Sequence, residues 1–427
     1  MLLAIAILPL ATPHFWESNR NKGIVVGVLA LPVFGMLLLE GQRTQLLHTG
    51  LDYASFIILL GSLFVISGGV LVTGDIRATP RNNTVLLAIG GLLASLIGTT
   101  GASMLLIRPL LRINSQRKRT VHSVIFFIFV VSNVGGCLTP LGDPPLFLGF
   151  IKGVPFAWTL ALWKEWAFMM AALLAIYFVV DTLHHRKEAP EDVRLDETRI
   201  EPIGVQGFLN LPLLCGVVAC VAFVPGLDRG VPWRELGMVA LAVLSMKTTA
   251  KPVREGNGFS FGPIVEVAVL FAGIFVAMIP ALKILEARGS ELGVREPWHF
   301  FWASGSLSSF LDNAPTYLTF CSVAVGLLHQ MEPALRETLS GENLGGLLTI
   351  DPAKYPGPAA LGVQLLTAVS LGSVFMGANS YIGNGPNFMV KAIAESQKVK
   401  MPSFFGYMAW SVGILVPLFV VVTFLFL

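Results

Sequence analysis

Two aspartates stand inside long apolar stretches: Asp143, in Thr139-Pro140-Leu141-Gly142-Asp143-Pro144-Pro145, and Asp312, in Leu311-Asp312-Asn313-Ala314-Pro315-Thr316. Acids at membrane depth are costly, and where they occur they mark ion or proton sites. The hydroxyl and amide residues expected around them are Thr99, Thr100, Ser103, Ser132, Asn133, Thr139, Asn313, Thr316, Asn379, Ser380, Asn384 and Asn387. Carboxylate, amide, hydroxyl and bare carbonyl oxygens are what a hard cation needs in place of its water. A carboxylate among them holds either a proton or a cation, and competition at one group is exchange. The chemistry predicted is therefore secondary transport of Na+ or Li+ against protons, with Asp143 and Asp312 as the metal ligands. The plainer alternative for either aspartate is that it caps a half-helix, where Asp is favoured in any case.

Positioning such groups requires interrupted helices. From Ser132 to Leu146 the chain carries three prolines and three glycines. Lipid cannot satisfy the N–H and C=O groups these free, so the backbone there must line an enclosed polar cavity. Gly377 to Phe388 is a counterpart: Gly142-Asp143-Pro144-Pro145-Leu146-Phe147 aligns with Gly383-Asn384-Gly385-Pro386-Asn387-Phe388 at an offset of 241, sharing glycine, the second proline and phenylalanine. Paired interruptions in two apolar halves point to a transporter's central site.

Apolar segments fall at 24–39, 55–74, 85–107, 121–153, 157–180, 208–227, 231–246, 263–284, 298–327, 358–394 and 403–427. A single span takes about 20 residues, so 121–153 and 358–394 are broken helices, and 85–107 and 298–327, interrupted in their middles, are re-entrant hairpins. Arg77 and Arg81 precede the first hairpin, and Arg108, Arg112, Arg117, Lys118 and Arg119 follow it, so both flanks are cytoplasmic by the enrichment of Lys and Arg in such loops. The second hairpin enters from the other side, beside Glu332, Glu337, Glu342 and Asp351. Each half thus runs span, hairpin, broken helix, span, in opposite orientation. The fold predicted is an all-α polytopic membrane protein of two inverted-topology repeats.

Its parts are N-terminal scaffold helices over 1–84, a transport domain from 85–153 and 298–394, scaffold and linker over 154–297, and a C-terminal interfacial helix and span over 395–427. Residues 181–202 read as a flexible cytoplasmic tether. Lys164 and Glu165, beside aromatics, suit an interfacial helix, and Glu266 a solvated or snorkelling position.

Composition excludes several classes. Of 427 residues 54% are hydrophobic and 13% charged, and the mean hydropathy is +0.73. That suits a multi-pass protein of the inner cell membrane, in contact with lipid, and not a soluble domain. The net charge of +3 sits in loops without an aromatic-interleaved basic run, so no nucleic acid is expected. Cys137, Cys215, Cys220 and Cys321 lack CxxC spacing and read as small apolar side chains, and the seven histidines, at segment ends or in loops, read as surface groups. No phosphate-cradling motif supports ATP drive, and no nucleophile–base pair supports an enzyme. Met1 to Ala11 reads as a short first segment and not a cleaved signal.

With these residues in view, the chain resembles the ion transporter superfamily, close to its arsenite-pump/NhaD-type sodium–proton antiporter branch and the related citrate-transporter-like families. Gly98-Thr99-Thr100-Gly101-Ala102-Ser103, Ser132-Asn133 with Thr139-Pro140-Leu141-Gly142-Asp143, Asp312-Asn313-Ala314-Pro315, and Gly377-Ala378-Asn379 to Pro386-Asn387 carry the likeness. The resemblance implies a homodimer whose scaffold holds the dimer interface while the hairpins and broken helices move as an elevator. It implies no cofactor, Na+ and H+ being the transported or coupling ions. Dicarboxylate-carrying relatives have Ser-Asn-Thr at both tips; here Ser132-Asn133 is followed by Val134, and the second half reads Ala378-Asn379-Ser380. Cation–proton antiport therefore ranks first, and a citrate or dicarboxylate symporter second.

Overall fold

The computed structural model describes residues 4, 7, 8, 11–16, 18–191, 196 and 201–427. Most of the predicted first segment, and 192–195 and 197–200 of the predicted tether, lie outside the described residues. Among the described residues eight helical stretches are long and apolar enough to cross a bilayer: Asn19–Leu39, Arg43–Ser67, Val121–Leu138, Phe156–His185, Asn210–Arg229, Gly262–Arg288, Pro356–Asn379 and Phe404–Phe426. The chain is a polytopic, mostly helical membrane protein.

In order, the elements are α1 (Asn19–Leu39), α2 (Arg43–Ser67), β1 (Leu71–Asp75), α3 (Pro80–Ile97), α4 (Thr99–Ile113), α5 (Val121–Val130), α6 (Pro144–Ile151), α7 (Trp163–His185), β2 (Glu201–Gln206), α8 (Asn210–Phe223), α9 (Trp233–Thr248), α10 (Lys251–Gly256), α11 (Gly262–Arg288), α12 (Pro297–Ser308), α13 (Asn313–Met331), α14 (Pro356–Met376), α15 (Gly385–Ser396) and α16 (Phe404–Phe426). Two helix–turn–helix pairs, α3–α4 and α12–α13, and two interrupted helices, α5–α6 and α14–α15, pack together as the interior. Helix α5 shows this: His122 to Val130 are all buried, so its apolar sides are covered by protein and not by lipid. α1 by contrast turns Val28, Leu31 and Leu39 outward, as a lipid-facing helix does.

The segment expected at 55–74 ends early. Gly68 and Gly69 close α2, and Leu71–Asp75 pairs antiparallel with Glu201–Gln206, Val72 opposite Val205 and Thr73 opposite Gly204. Arg112 satisfies the free edge, its Nε donating to Gly74 O and its Nη2 to Val72 O, each at 2.8 Å. The described residues thus form helices and one two-stranded sheet, not helices alone, and the expected tether is docked: β2 is paired, and Asp196 accepts from Ala78 N at 2.9 Å. α9, at 16 residues, has the length predicted for 231–246, shifted by two residues, and falls short of the roughly 20 residues of a single span.

Two further expectations are corrected. His122 is 2% exposed and Nε2 lies 2.8 Å from Asp181 Oδ1; His329 is also buried. Asp181 begins no linker, since it is fully buried inside α7. Glu266 is half-exposed and pairs with buried Lys22 at 2.8 Å, and Lys164 is exposed at the start of α7.

Candidate functional site

The turns of the hairpins and the breaks of the interrupted helices meet at Asp143. Local sequence explains why this aspartate faces inward. It occupies the N-cap position of α6, but the next two residues are Pro144 and Pro145, which have no N–H for a capping side chain to accept. The helix is closed by main chain alone, Leu146 N donating to Asp143 O at 3.1 Å. The carboxylate is left for other donors. Asn384 stands likewise before Gly385 and Pro386, with Asn387 N donating to its carbonyl at 3.1 Å, and its amide turns away from its own helix.

Asp143, 1% exposed, accepts three side-chain hydrogen bonds. Thr99 Oγ1 and Asn384 Nδ2 donate to Oδ1 at 3.0 Å each, and Asn313 Nδ2 donates to Oδ2. One donor comes from each hairpin turn and one from the second break. All three are neutral. The ion pairs of the described residues that involve Lys or Arg lie elsewhere, among them Arg117–Asp181, Lys152–Asp52 and Arg234–Asp228. Asn313, fully buried, keeps Oδ1 without a hydrogen-bond partner beside this carboxylate.

Around the centre the amides link into a chain. Asn384 Nδ2 also reaches Ser132 O at 3.1 Å and Asn133 Oδ1 at 3.3 Å, Asn133 Nδ2 donates to Asn387 Oδ1 and Ile128 O at 2.8 Å each, and Asn387 Nδ2 donates to Gly377 O at 2.8 Å and Ser380 O at 2.9 Å. Ser103 and Ser132 hydroxyls pair at 2.8 Å. Thr99 and Thr100 line a small cavity of about 60 Å³ beside Leu141, Gly142 and Pro144.

Other predicted site residues are not at the carboxylate. Thr139 Oγ1 donates to Ser95 O, and Ser380 Oγ donates to Ser309 O, so each hydroxyl pins its break to the neighbouring hairpin. Asn379 Nδ2 donates to Ser309 Oγ at 2.9 Å, and Thr316 Oγ1 returns to Asp312 O at 3.0 Å. Asp312 caps: its Oδ1 accepts from Ala314 N at 3.1 Å, an N–H available because proline comes only at position 315. Ser95 and Ser309 were missed as site-building residues. Their interval of 214 (95 to 309) equals that of Thr99 and Asn313 (99 to 313), which aligning the hairpins would have exposed.

Backbone contact at the first break is close enough to demand glycine. A Cβ at Gly142 would overlap the Gly136 carbonyl oxygen, while Gly142 O accepts from Thr99 N at 2.8 Å and holds the hairpin turn in place. Gly142→Ala is expected to cost about 3 kcal/mol or more, because the obstructing atom is backbone. Size-exclusion profiles of a fluorescent fusion check this; a variant as monodisperse and heat-resistant as wild type would show that the break relaxes freely.

Helices closed around broken segments, with a buried carboxylate at the break, define a multi-pass membrane protein built around an internal polar centre. The family model CitMHS_2, described as "Putative citrate transport", matches residues 1–427. The chain belongs to that family, whose members are classed as transporters. No curated protein matches it.

Proposed function

We propose that the protein is a secondary active transporter of the inner cell membrane that exchanges Na+ or Li+ for protons at Asp143. The observation that carries this reading is a fully enclosed carboxylate whose three hydrogen-bond donors are neutral. Hydrogen bonds solvate such a group but leave its charge uncompensated, and a buried uncompensated charge is costly. A proton or a small cation removes that cost, and each excludes the other. The unpartnered Asn313 Oδ1 supplies a further ligand for the cation once the amide reorients, with Thr99 Oγ1 close by.

The two breaks support inverted-topology repeats. Thr139 and Ser380, at the offset of 241, make the same bond to a hairpin serine carbonyl, and each hydroxyl also accepts the N–H two residues on, from Leu141 and Ile382, at 3.2 Å. In this reading 85–153 and 298–394 move together as an elevator against a scaffold of 1–84, 154–297 and 395–427, which carries a homodimer interface. Lys152–Asp52, at 2.6 Å, joins α6 to α2 and so bridges the moving and fixed parts.

A second reading is favoured by the family's description: citrate or a dicarboxylate carried with Na+ or H+ coupled at Asp143. The N-termini of α6 and α15 would then face substrate carboxylates. Dissipation of a pH gradient in proteoliposomes, followed with an internal dye as Na+, Li+, K+ or citrate is added, separates the two. Dissipation by Na+ or Li+ alone supports antiport; a response to citrate alone overturns it in favour of symport.

Asp312→Asn tests the second aspartate. Asparagine caps as well as aspartate, so thermal stability should change by less than about 1 kcal/mol. Unchanged transport would make Asp312 a cap only, whereas lost Na+- or Li+-driven proton movement would add it to the ion site.

A further inference from the structure

Helices α4 and α15 begin at the centre, with Thr99 and with Asn384 as N-cap, and pack against each other. Their far ends open on a cavity of about 820 Å³, a volume suited to a small organic ligand. Its charged lining is Arg108, Arg112, Arg117, Lys118, Lys398 and Lys400, six cations and no acid. At about 1.5 Å per helical residue, Arg108 lies roughly 14 Å along α4 from Thr99.

Two of these residues are placed at a cost that packing does not recover. Arg108 Nη1 is buried yet has no hydrogen-bond partner, although an unsatisfied buried donor of a charged group is expensive. A Cβ at Gly258 would stand 2.7 Å from Arg108 Nη2, so the guanidinium takes the room that glycine leaves. Lys398 sits at φ 67°, the only described non-glycine residue with positive φ. It occupies the turn that closes α15, Lys398 N donating to Glu395 O and Val399 N to Ala394 O at 3.0 Å each, the position where glycine is normally found. A lysine held there in strain brings one more cation to the wall. Strain and unmet donors that persist in a structure mark functional positions.

We propose that this cavity is a binding site for a small anion presenting carboxylate or phosphate groups, separate from the Asp143 centre and connected to it by α4 and α15. Arg117 is already engaged by Asp181, and Arg112 by β1 carbonyls. Arg108, whose Nη1 has no partner, and Lys398, held at positive φ, are the groups we assign to the anion, Arg108 through its planar fork and Lys398 as a point charge. The anion is free in solution or is the phosphate of a lipid headgroup.

The experiment uses the full chain in phosphatidylcholine nanodiscs, with calorimetric titration by choline citrate and by inorganic phosphate, and native mass spectrometry after reconstitution with added phosphatidylglycerol. Arg108→Gln and Lys398→Gly should each weaken anion binding about tenfold, the loss of one charge-assisted contact. Lys164→Gln, removing an exposed lysine on α7, should leave it within twofold. Lys398→Gly also relieves the left-handed strain and should be at least as heat-stable as wild type, so that its loss of binding is not unfolding. Citrate or phosphate binding with this pattern supports the proposal and a soluble ligand. Phosphatidylglycerol retained by wild type and lost in both variants supports it with a lipid headgroup as the source. No binding of any of the three, or equal binding by Arg108→Gln and Lys164→Gln, overturns it.

Discussion

Asp143→Asn is expected to abolish coupled transport while leaving the protein folded. The two outcomes separate because of what surrounds the side chain. An asparagine there keeps one oxygen to accept from Thr99 and Asn384, and its new amide meets Asn313, whose Oδ1 has no partner. Asn313 need only present oxygen in place of nitrogen for the network to close, so stability should fall by no more than about 1 kcal/mol. What the variant loses is the ability to carry either a proton or a full negative charge. Losing a charge-assisted contact to a cation amounts to roughly a hundredfold in affinity at the upper end, and proton exchange at the group ends altogether. In proteoliposomes with a pH dye, the Na+ or Li+ response should disappear. If the variant instead responds like wild type, exchange occurs at some other group and the enclosed carboxylate is structural. If wild type responds only to citrate and the variant not at all, Asp143 couples a symport.

The parts of this centre legible in the sequence were those written in local chemistry. Glycines and prolines in the middle of apolar runs signalled breaks, and the interval of 241 residues between Asp143 and Asn384 signalled that the breaks correspond. The direction of each side chain was less visible, although part of the information was present: Pro144-Pro145 removes two N–H groups that a cap at Asp143 could accept, while Asn313-Ala314 keeps them for Asp312. Thr139 and Ser380 have the chemistry of ion ligands but point back to Ser95 and Ser309, because a broken helix must first satisfy its neighbours' carbonyls. Long-range pairing was illegible. β1 joins a strand about 130 positions away whose residues show no alternation, and its register, Leu71 to Gln206, follows from how α2 and α8 are placed. Arg117 and His122 read as loop and segment-end residues because their partner, Asp181, comes only after another full helix.

That buried cluster carries the other large expected effect. Asp181 accepts from Arg117 Nη2 at 2.6 Å and Nη1 at 3.2 Å and from Asn83 Nδ2 at 3.1 Å, and lies 2.8 Å from His122 Nε2. Asn114 ties Asn83 to Arg117, at 2.9 and 3.2 Å, and Tyr177 meets Ser123 at 3.0 Å. One carboxylate thus holds together α3, the loop after α4, the start of α5 and the end of α7. Asp181→Ala leaves a guanidinium buried without its counter-charge, a change that costs about 3–5 kcal/mol. The measurement is the midpoint of heat-induced loss of monodisperse protein in detergent, compared with wild type in the same scan because such unfolding is irreversible. Charge, and not the lost volume, is isolated by Asp181→Leu in an Arg117→Met background: removing both ends of the pair should restore most of the stability that Asp181→Leu alone loses. Equal losses in the two backgrounds would mean that the pair is not what clamps these helices. The clamp also fixes the base of α4, the helix that presents Thr99 to Asp143 at one end and Arg108 and Arg112 to the basic cavity at the other. The double variant, with the packing restored and Arg108 and Lys398 in place, should therefore keep both Na+- or Li+-driven proton movement and anion binding; loss of either would mean that the buried charge pair, and not the packing it organises, sets that site.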